Sequence, residues 1–322
     1  MKKALRFLVV LAVVCTLAGT GYAATYSIGT NPQGSLFYST GMAVSKVMVE
    51  KTGQQYRVAP YGGSSTYIPL MNKGKLAFGC ANGGETAFAY QGTEIFAGKP
   101  NSNIRMIAAY YKNYGGFAVR NNSSYKMMRD LKGLRIPSDY TAGRIFHYLT
   151  EAILAAEGLT HSDFKFFPVP GFVPGINMFI QGKVDAAYIP MNTGIGKKAM
   201  ATIKGGWHFV DFDGSAAAQL KVDRVLPSSR TEELSPGKLR EGVTIDPTTM
   251  LVVDFYVIGG AHVADDVVYT LTKTMHDNKA DLAKSFGGFK NFSPNGMAPK
   301  HPTPYHSGAI KYYKEIGIWK GM

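Results

Sequence analysis

Short stretches of this chain place glycine beside hydroxyl or amide side chains, at residues 30–38, 61–66, 80–86 and 137–144. They hold Asn31, Gln33, Gly34, Ser35, Phe37 and Tyr38, then Gly63, Ser64, Ser65 and Thr66, then Asn82 and Gly83, and finally Tyr140, Thr141, Ala142, Gly143 and Arg144. Glycine lets a backbone approach a guest closely, while Ser, Thr and Asn either cap a helix or hydrogen-bond the guest. One such stretch alone reads as a turn and a cap. Their recurrence along one chain points to a binding cleft. Arg144 opens an expected helix, where its guanidinium would clamp a carboxylate through two parallel bonds; the alternative is a solvated arginine. Tyr38 and Tyr140 lie inside the loops and are expected to offer a guest an apolar face and a polar tip. Pro190, Met191 and Asn192, after a further strand, extend the expected contact set.

Signatures of covalent catalysis are missing from the sequence. There is no Gly-x-Ser-x-Gly and no phosphate loop ending in Gly-Lys-Ser/Thr. None of the histidines stands in a His-Glu-x-x-His arrangement. Pro302 and Pro304 keep His301 and His306 from sharing a helical metal face. The histidines, His147 and His161 among them, are therefore expected to be structural, with no metal site and no cofactor. Ser64 or Ser65 as a nucleophile needs a histidine delivered by the fold, and two adjacent hydroxyls at a helix start are what a cap requires. An exported serine hydrolase is kept as the alternative of another class.

These residues need a scaffold, and strand and helix signals alternate along the chain. Thr25–Thr30, Arg57–Tyr61, Leu76–Cys80, Leu134–Pro137 and Asp185–Pro190 read as strands. Ile104–Tyr111 and Gly116–Arg120 form one long extended stretch across Asn113, and Thr248–Ile258 is strongly β-rich. Ile145, Leu149, Ile153 and Ala156 recur at helical spacing within Arg144–Glu157. Ala81–Gly84 reads as a loop, with a helix from Glu85. This alternation gives an α/β fold with parallel strands covered by helices, in which guests sit beyond the carboxyl ends of strands. The length exceeds one comfortable core, so two lobes are expected.

Lys2, Lys3 and Arg6 precede the apolar run Phe7–Leu17, and Gly21-Tyr22-Ala23 offers small residues for cleavage. That order reads as a secretory signal peptide over residues 1–23 and a periplasmic location. The apolar run is shorter than the ~20 residues of a membrane span. With Cys15 in the leader, Cys80 has no partner for an internal disulfide, and clustered zinc ligands are lacking. A net charge of +13, three units of it in the leader, favours an anionic small molecule. The basic residues are scattered, without the dense patch or interleaved aromatics of a nucleic-acid binder.

Several ordered segments resemble the TAXI group of TRAP-transporter solute receptors. Ile28-Gly29-Thr30 with Gly34, Tyr38 and Gly41 is similar to that family's opening. Gly62-Gly63-Ser64 resembles its Gly-Gly-Ser turn, and Leu70–Gly74 the segment that follows. Leu131–Ile136 resembles the start of its second lobe, Gln181–Ala186 its Gly-x-x-Asp-Ala strand, and His306–Glu315 its closing helix. Ser138–Gly143 departs from the family's Gly-Ser-Gly-Thr-like turn, and Ala81–Gly84 from its Gln-Ser-Asp.

The resemblance implies a two-lobed periplasmic binding protein fold, type II-like, each lobe a mixed, mainly parallel sheet flanked by helices. Lobe 1 would span 25–116 plus 250–322 and lobe 2 residues 117–249, with crossings near Phe117 and Met250. It further implies a monomer that closes on a small carboxylate-bearing solute, a 2-oxo dicarboxylate or glutamate-like amino acid, and delivers it to a TRAP permease without covalent chemistry. An aromatic carboxylate or a thiamine-precursor-like molecule is the alternative guest.

Overall fold

The computed structural model describes residues 24–321. The leader expected over residues 1–23 lies outside the described residues.

The chain opens with β1 (Thr25–Thr30), α1 (Leu36–Thr52) and β2 (Gln55–Pro60). Gly34, at φ 93, takes the left-handed turn that aims α1 away from the strand end. Ser35 caps α1 by accepting the Tyr38 N–H, and Gly53 at φ 71 ends it. Next come α2 (Ser64–Asn72), β3 (Phe78–Asn82), α3 (Gly83–Gln91) and the long β4 (Ile104–Arg120). Lobe 2 is built from β5 (Arg135–Ser138), α4 (Ile145–Glu157), β6 (Lys165–Pro168), α5 (Phe172–Ile180) and β7 (Ala186–Pro190). It continues through α6 (Gly194–Thr202), β8 (Trp207–Phe209), α7 (Ala216–Val225) and β9 (Arg230–Leu234). The chain returns along β10 (Thr248–Gly260) and finishes with α8 (Asp265–Asp277), α9 (Lys279–Ser285) and α10 (Ser307–Glu315).

The main sheet runs β2-β1-β3-β10-β4-β7, with β8 on β4 and β9 on β10; β5 and β6 pair separately. Between the named strands, the parallel pairs are β1–β2, β1–β3 and β5–β6. The remaining pairs are antiparallel, so the sheet is mixed and less parallel than alternation alone suggests. The reason is that β4 and β10 travel between the lobes in opposite directions, paired from Leu251/Gly115 to Gly260/Ile104. In lobe 1, Phe255–Gly259 of β10 pair with β3. In lobe 2, Thr248–Val252 pair with β9, and Gly115–Val119 of β4 pair with β7. Register breaks at Phe255/Tyr256 and Val257/Ile258 bend this two-stranded bridge near the changeover. Phe117 and Met250, the expected crossings, pair within the lobe-2 ladders.

Ile145, Leu149, Ile153 and Ala156 are all buried along α4, as their spacing predicts. The expected loop at 81–84 is absent: β3 runs through Asn82 and α3 begins at Gly83. Asn82 is extended and caps α3 by accepting the Glu85 N–H at 2.8 Å, so strand passes to helix without a connector. The glycines there serve close packing. A Cβ on Gly84 would lie 2.8 Å from Leu226 of lobe 2.

Candidate binding site between the lobes

The carboxyl ends of β1, β3 and β7 and the middle of β4 and β10 meet a narrow cavity of about 30 Å³. Lobe 1 contributes Asn31, Ser35, Leu36, Phe37 and Asn82, and lobe 2 contributes Ile145, Phe146, Leu149, Phe172, Tyr188, Pro190 and Thr193. Asn113, Val253 and Phe255 come from the bridge strands. The first turns of α1, α4 and α5 and the capping residues of α3 and α6 thus converge on one space. Helix N-termini carry unpaired N–H groups and partial positive charge, which favours an anion. Among the described residues, no charged side chain lines the cavity.

Its walls are largely aromatic. Phe146 and Phe172 stack with centroids 4.6 Å apart, Phe37 meets Phe255 edge-on at 4.5 Å, and Phe146 meets Tyr188 edge-on at 5.8 Å. The polar groups on the wall are mostly committed to caps. Ser35 accepts from Tyr38, Asn82 from Glu85, and Thr193 from Gly196. Asn31 is different: its side-chain oxygen is sealed from solvent and has no partner among the described residues. A buried acceptor left unmade costs about 1–3 kcal/mol, which a guest's donor would recover.

Of the residues expected at the site, Asn31, Ser35, Phe37, Asn82 and Pro190 line this cavity. Others instead join the lobes to each other. Ser65 donates its hydroxyl to the Ala142 carbonyl and accepts the Arg144 N–H at 3.4 Å. Gly63 packs directly on Ala142 and Gly143. The Ile195 N–H reaches the Gly34 carbonyl at 3.2 Å. Arg144 does not reach the central cavity. Its Nη1 donates to the Ile95 carbonyl at 2.8 Å, and the side chain lines a second, larger hollow beside Ser65, Lys73, Glu94 and Lys99. Tyr148 adds a bond to Glu94 at 2.9 Å.

The rest stand apart from the central cavity. Ser64 is buried and donates to the Glu85 carboxylate. Burial raises the Glu85 carboxyl to about 7, against the lowering effects of the Ser64 bond and the Arg144 charge. Tyr140 is buried with its hydroxyl on the Pro137 carbonyl at 3.3 Å, and burial pushes its ionisation well up. Tyr38 is half-buried on the outer turn of α1. Gln33, Thr66 and Thr141 are exposed; Thr141 bonds the Pro170 carbonyl. Gly83 gives its carbonyl to the His301 ring, Met191 its N–H to Tyr114, and Asn192 sits at φ 63 after β7. Neither Ser64 nor Ser65 has a histidine partner among the described residues.

Asn113, Ile145, Phe146, Leu149, Phe172, Val253 and Phe255 line the cavity without having been expected there, whereas Thr193 falls in the loop 189–193 expected on the lobe-2 wall. Asn113 did carry a signal, as an amide interrupting a long apolar strand. The aromatic residues did not, because a cavity wall and a core have the same composition.

Residues 28–317 match the NMT1-like family. Among solved structures, one described as a periplasmic transporter shares 15% identity at a TM-score of 0.57, over 92% of this chain and 94% of that one. A protein of Bordetella bronchiseptica RB50 shares 15% identity at 0.50, over 90% and 89%. The substrate binding protein of an amino acid ABC transporter shares 11% at 0.50, over 83% and 99%. At these identities the likeness speaks to architecture, the two-lobed α/β fold of periplasmic binding proteins.

Proposed function

This chain belongs to the NMT1-like family, and from its cleft we propose that it is a periplasmic solute-binding receptor. It captures a small anionic solute between its lobes and presents it to a membrane permease without chemical change. Ligand contact with both lobes biases a hinge motion of the β4–β10 bridge. The observation that carries this reading is a narrow interlobe cavity where helix N-termini converge and the buried Asn31 side-chain oxygen has no partner among the described residues.

The lining favours one carboxylate joined to an apolar or aromatic body. Helix N-termini and amides serve a single negative group well. A second carboxylate would be desolvated with no cationic side chain beside it, which is costly. An aromatic or branched monocarboxylate therefore fits better than a 2-oxo dicarboxylate or glutamate. The orphan acceptor of Asn31 favours a solute that also bears a donor, as an amino acid does. The resemblance to TAXI receptors supports a sodium-driven TRAP permease as the partner. The hydrolase reading loses ground, since Ser64 is fully buried beside Glu85 and Ser65 donates to a backbone carbonyl that cannot take its proton.

The test is a thermal-shift screen with phenylpyruvate, phenylalanine, leucine, 2-oxoglutarate and glutamate. A ligand at 100 times its Kd adds about 2.7 kcal/mol, hence several degrees of Tm. Asn31→Ala should abolish the shift while leaving the ligand-free melt unchanged or higher. Chemical turnover of the bound compound would refute the receptor reading. A response to dicarboxylates alone would refute the ligand class.

A further inference from the structure

We infer that lobe 2 carries a zinc-type metal site formed by His147, Glu151 and His161. This site is separate from the solute cavity and does not rest on the receptor reading. His147 and Glu151 stand four residues apart on α4, so their side chains share one face. His161 opens the short 3₁₀ turn His161–Asp163 just after that helix. The fold brings one ligating atom of each residue within 4.8 Å of the other two.

The local geometry leaves room for a shared cation in place of the Glu151–His161 ion pair. Glu151 Oε1 lies 2.6 Å from His161 Nδ1, yet it is sealed from water and makes no hydrogen bond of acceptable alignment. A buried carboxylate oxygen in that state costs free energy that a metal bond would recover. The imidazoles are held in place from behind. His161 packs on Phe166 with centroids 4.0 Å apart, and His147 meets Tyr148 edge-on at 5.2 Å. All three residues are half-buried. Two imidazoles and a carboxylate suit Zn²⁺, whereas Ca²⁺ and Mg²⁺ prefer all-oxygen sets.

A metal here would tie α4 to the segment that leads through β6 into α5. Ile145 and Phe146 at the start of α4, and Phe172 at the start of α5, line the solute cavity. The ion would therefore brace the lobe-2 wall without touching the guest.

The experiment uses untagged protein stripped with EDTA and titrated with Zn²⁺ by calorimetry and thermal melting. One Zn²⁺ should bind per chain and raise Tm. His147→Ala and His161→Ala should each weaken binding by at least roughly tenfold and remove the Tm rise, and Glu151→Gln should weaken it too. His262→Ala, an exposed histidine elsewhere, should bind as the parent does. Metal-free melts of each variant distinguish a lost ligand from a misfolded lobe. Failure of Zn²⁺ to bind the parent, or unchanged binding in both histidine variants, would overturn the assignment.

Discussion

Gly63→Ala should leave lobe 1 intact and block closure. The φ of Gly63 is 178°, extended backbone that alanine adopts without strain. The obstacle lies in the other lobe. A Cβ at this position would stand 2.2 Å from the Ala142 oxygen, 2.5 Å from Gly143 Cα and 2.6 Å from Ala142 C. All three are backbone atoms, which cannot swing aside as a side-chain end can. Ordinary contact begins near 3.4 Å, so the lobes must part by about 1 Å at this point. That gap breaks the Ser65–Ala142 bond and strains the Arg144–Ile95 bond of 2.8 Å. One neutral and one charge-assisted hydrogen bond are worth together about 2–4 kcal/mol. The loss appears only in the closed, liganded state, so Kd should rise roughly 30- to 900-fold. Calorimetry with the tightest-binding compound of the screen measures this, small-angle scattering follows compaction, and a ligand-free melt checks the fold. Affinity within about threefold of the parent, with compaction retained, would refute the reasoning.

Two further predictions concern the residues behind this contact. Glu85 keeps its proton in the fold up to about pH 7, whereas an unfolded glutamate loses it near pH 4.3. The native state therefore binds the extra proton between those values, and stability falls as pH rises through that window, by about 4 kcal/mol in all. Glu85→Gln should flatten this loss; melts at pH 5 and pH 8 that run parallel for parent and variant would contradict it. The adjacent serines should separate cleanly. Ser64→Ala strips a buried carboxylate of its donor and should cost about 1–3 kcal/mol of stability. Ser65→Ala should spare the ligand-free melt and weaken solute binding by about 0.5–1.5 kcal/mol, read by paired melts and titrations.

Local sequence determined most of the elements but not all of their ends, as β3 shows by running through Asn82 straight into α3. The spacing of Ile145, Leu149, Ile153 and Ala156 specified which face of α4 is buried, because a helix turns by a fixed angle per residue. Ser35 at the head of α1 was legible for a similar reason, since a cap bonds an N–H three residues ahead of it. The alternation of strand and helix placed the polar loops at strand ends, and with them the general position of a cleft. What each loop faces was a tertiary decision. Gly63 and Ala142 are far apart along the chain, and only lobe closure turns them from expected guest contacts into contacts with each other. The same closure sends Arg144 to the Ile95 carbonyl and leaves the cavity without a cation. Asn113, Val253 and Phe255 reach the cavity because β4 and β10 bridge the lobes as neighbours, a pairing that no local pattern encodes. His161 likewise meets His147 and Glu151 through packing after the helix has ended. Hydrogen bonding within an element depends on near neighbours, so sequence carries it. The chemistry of a cleft depends on which distant side chains are left facing one another, and that is set only when the whole chain has packed.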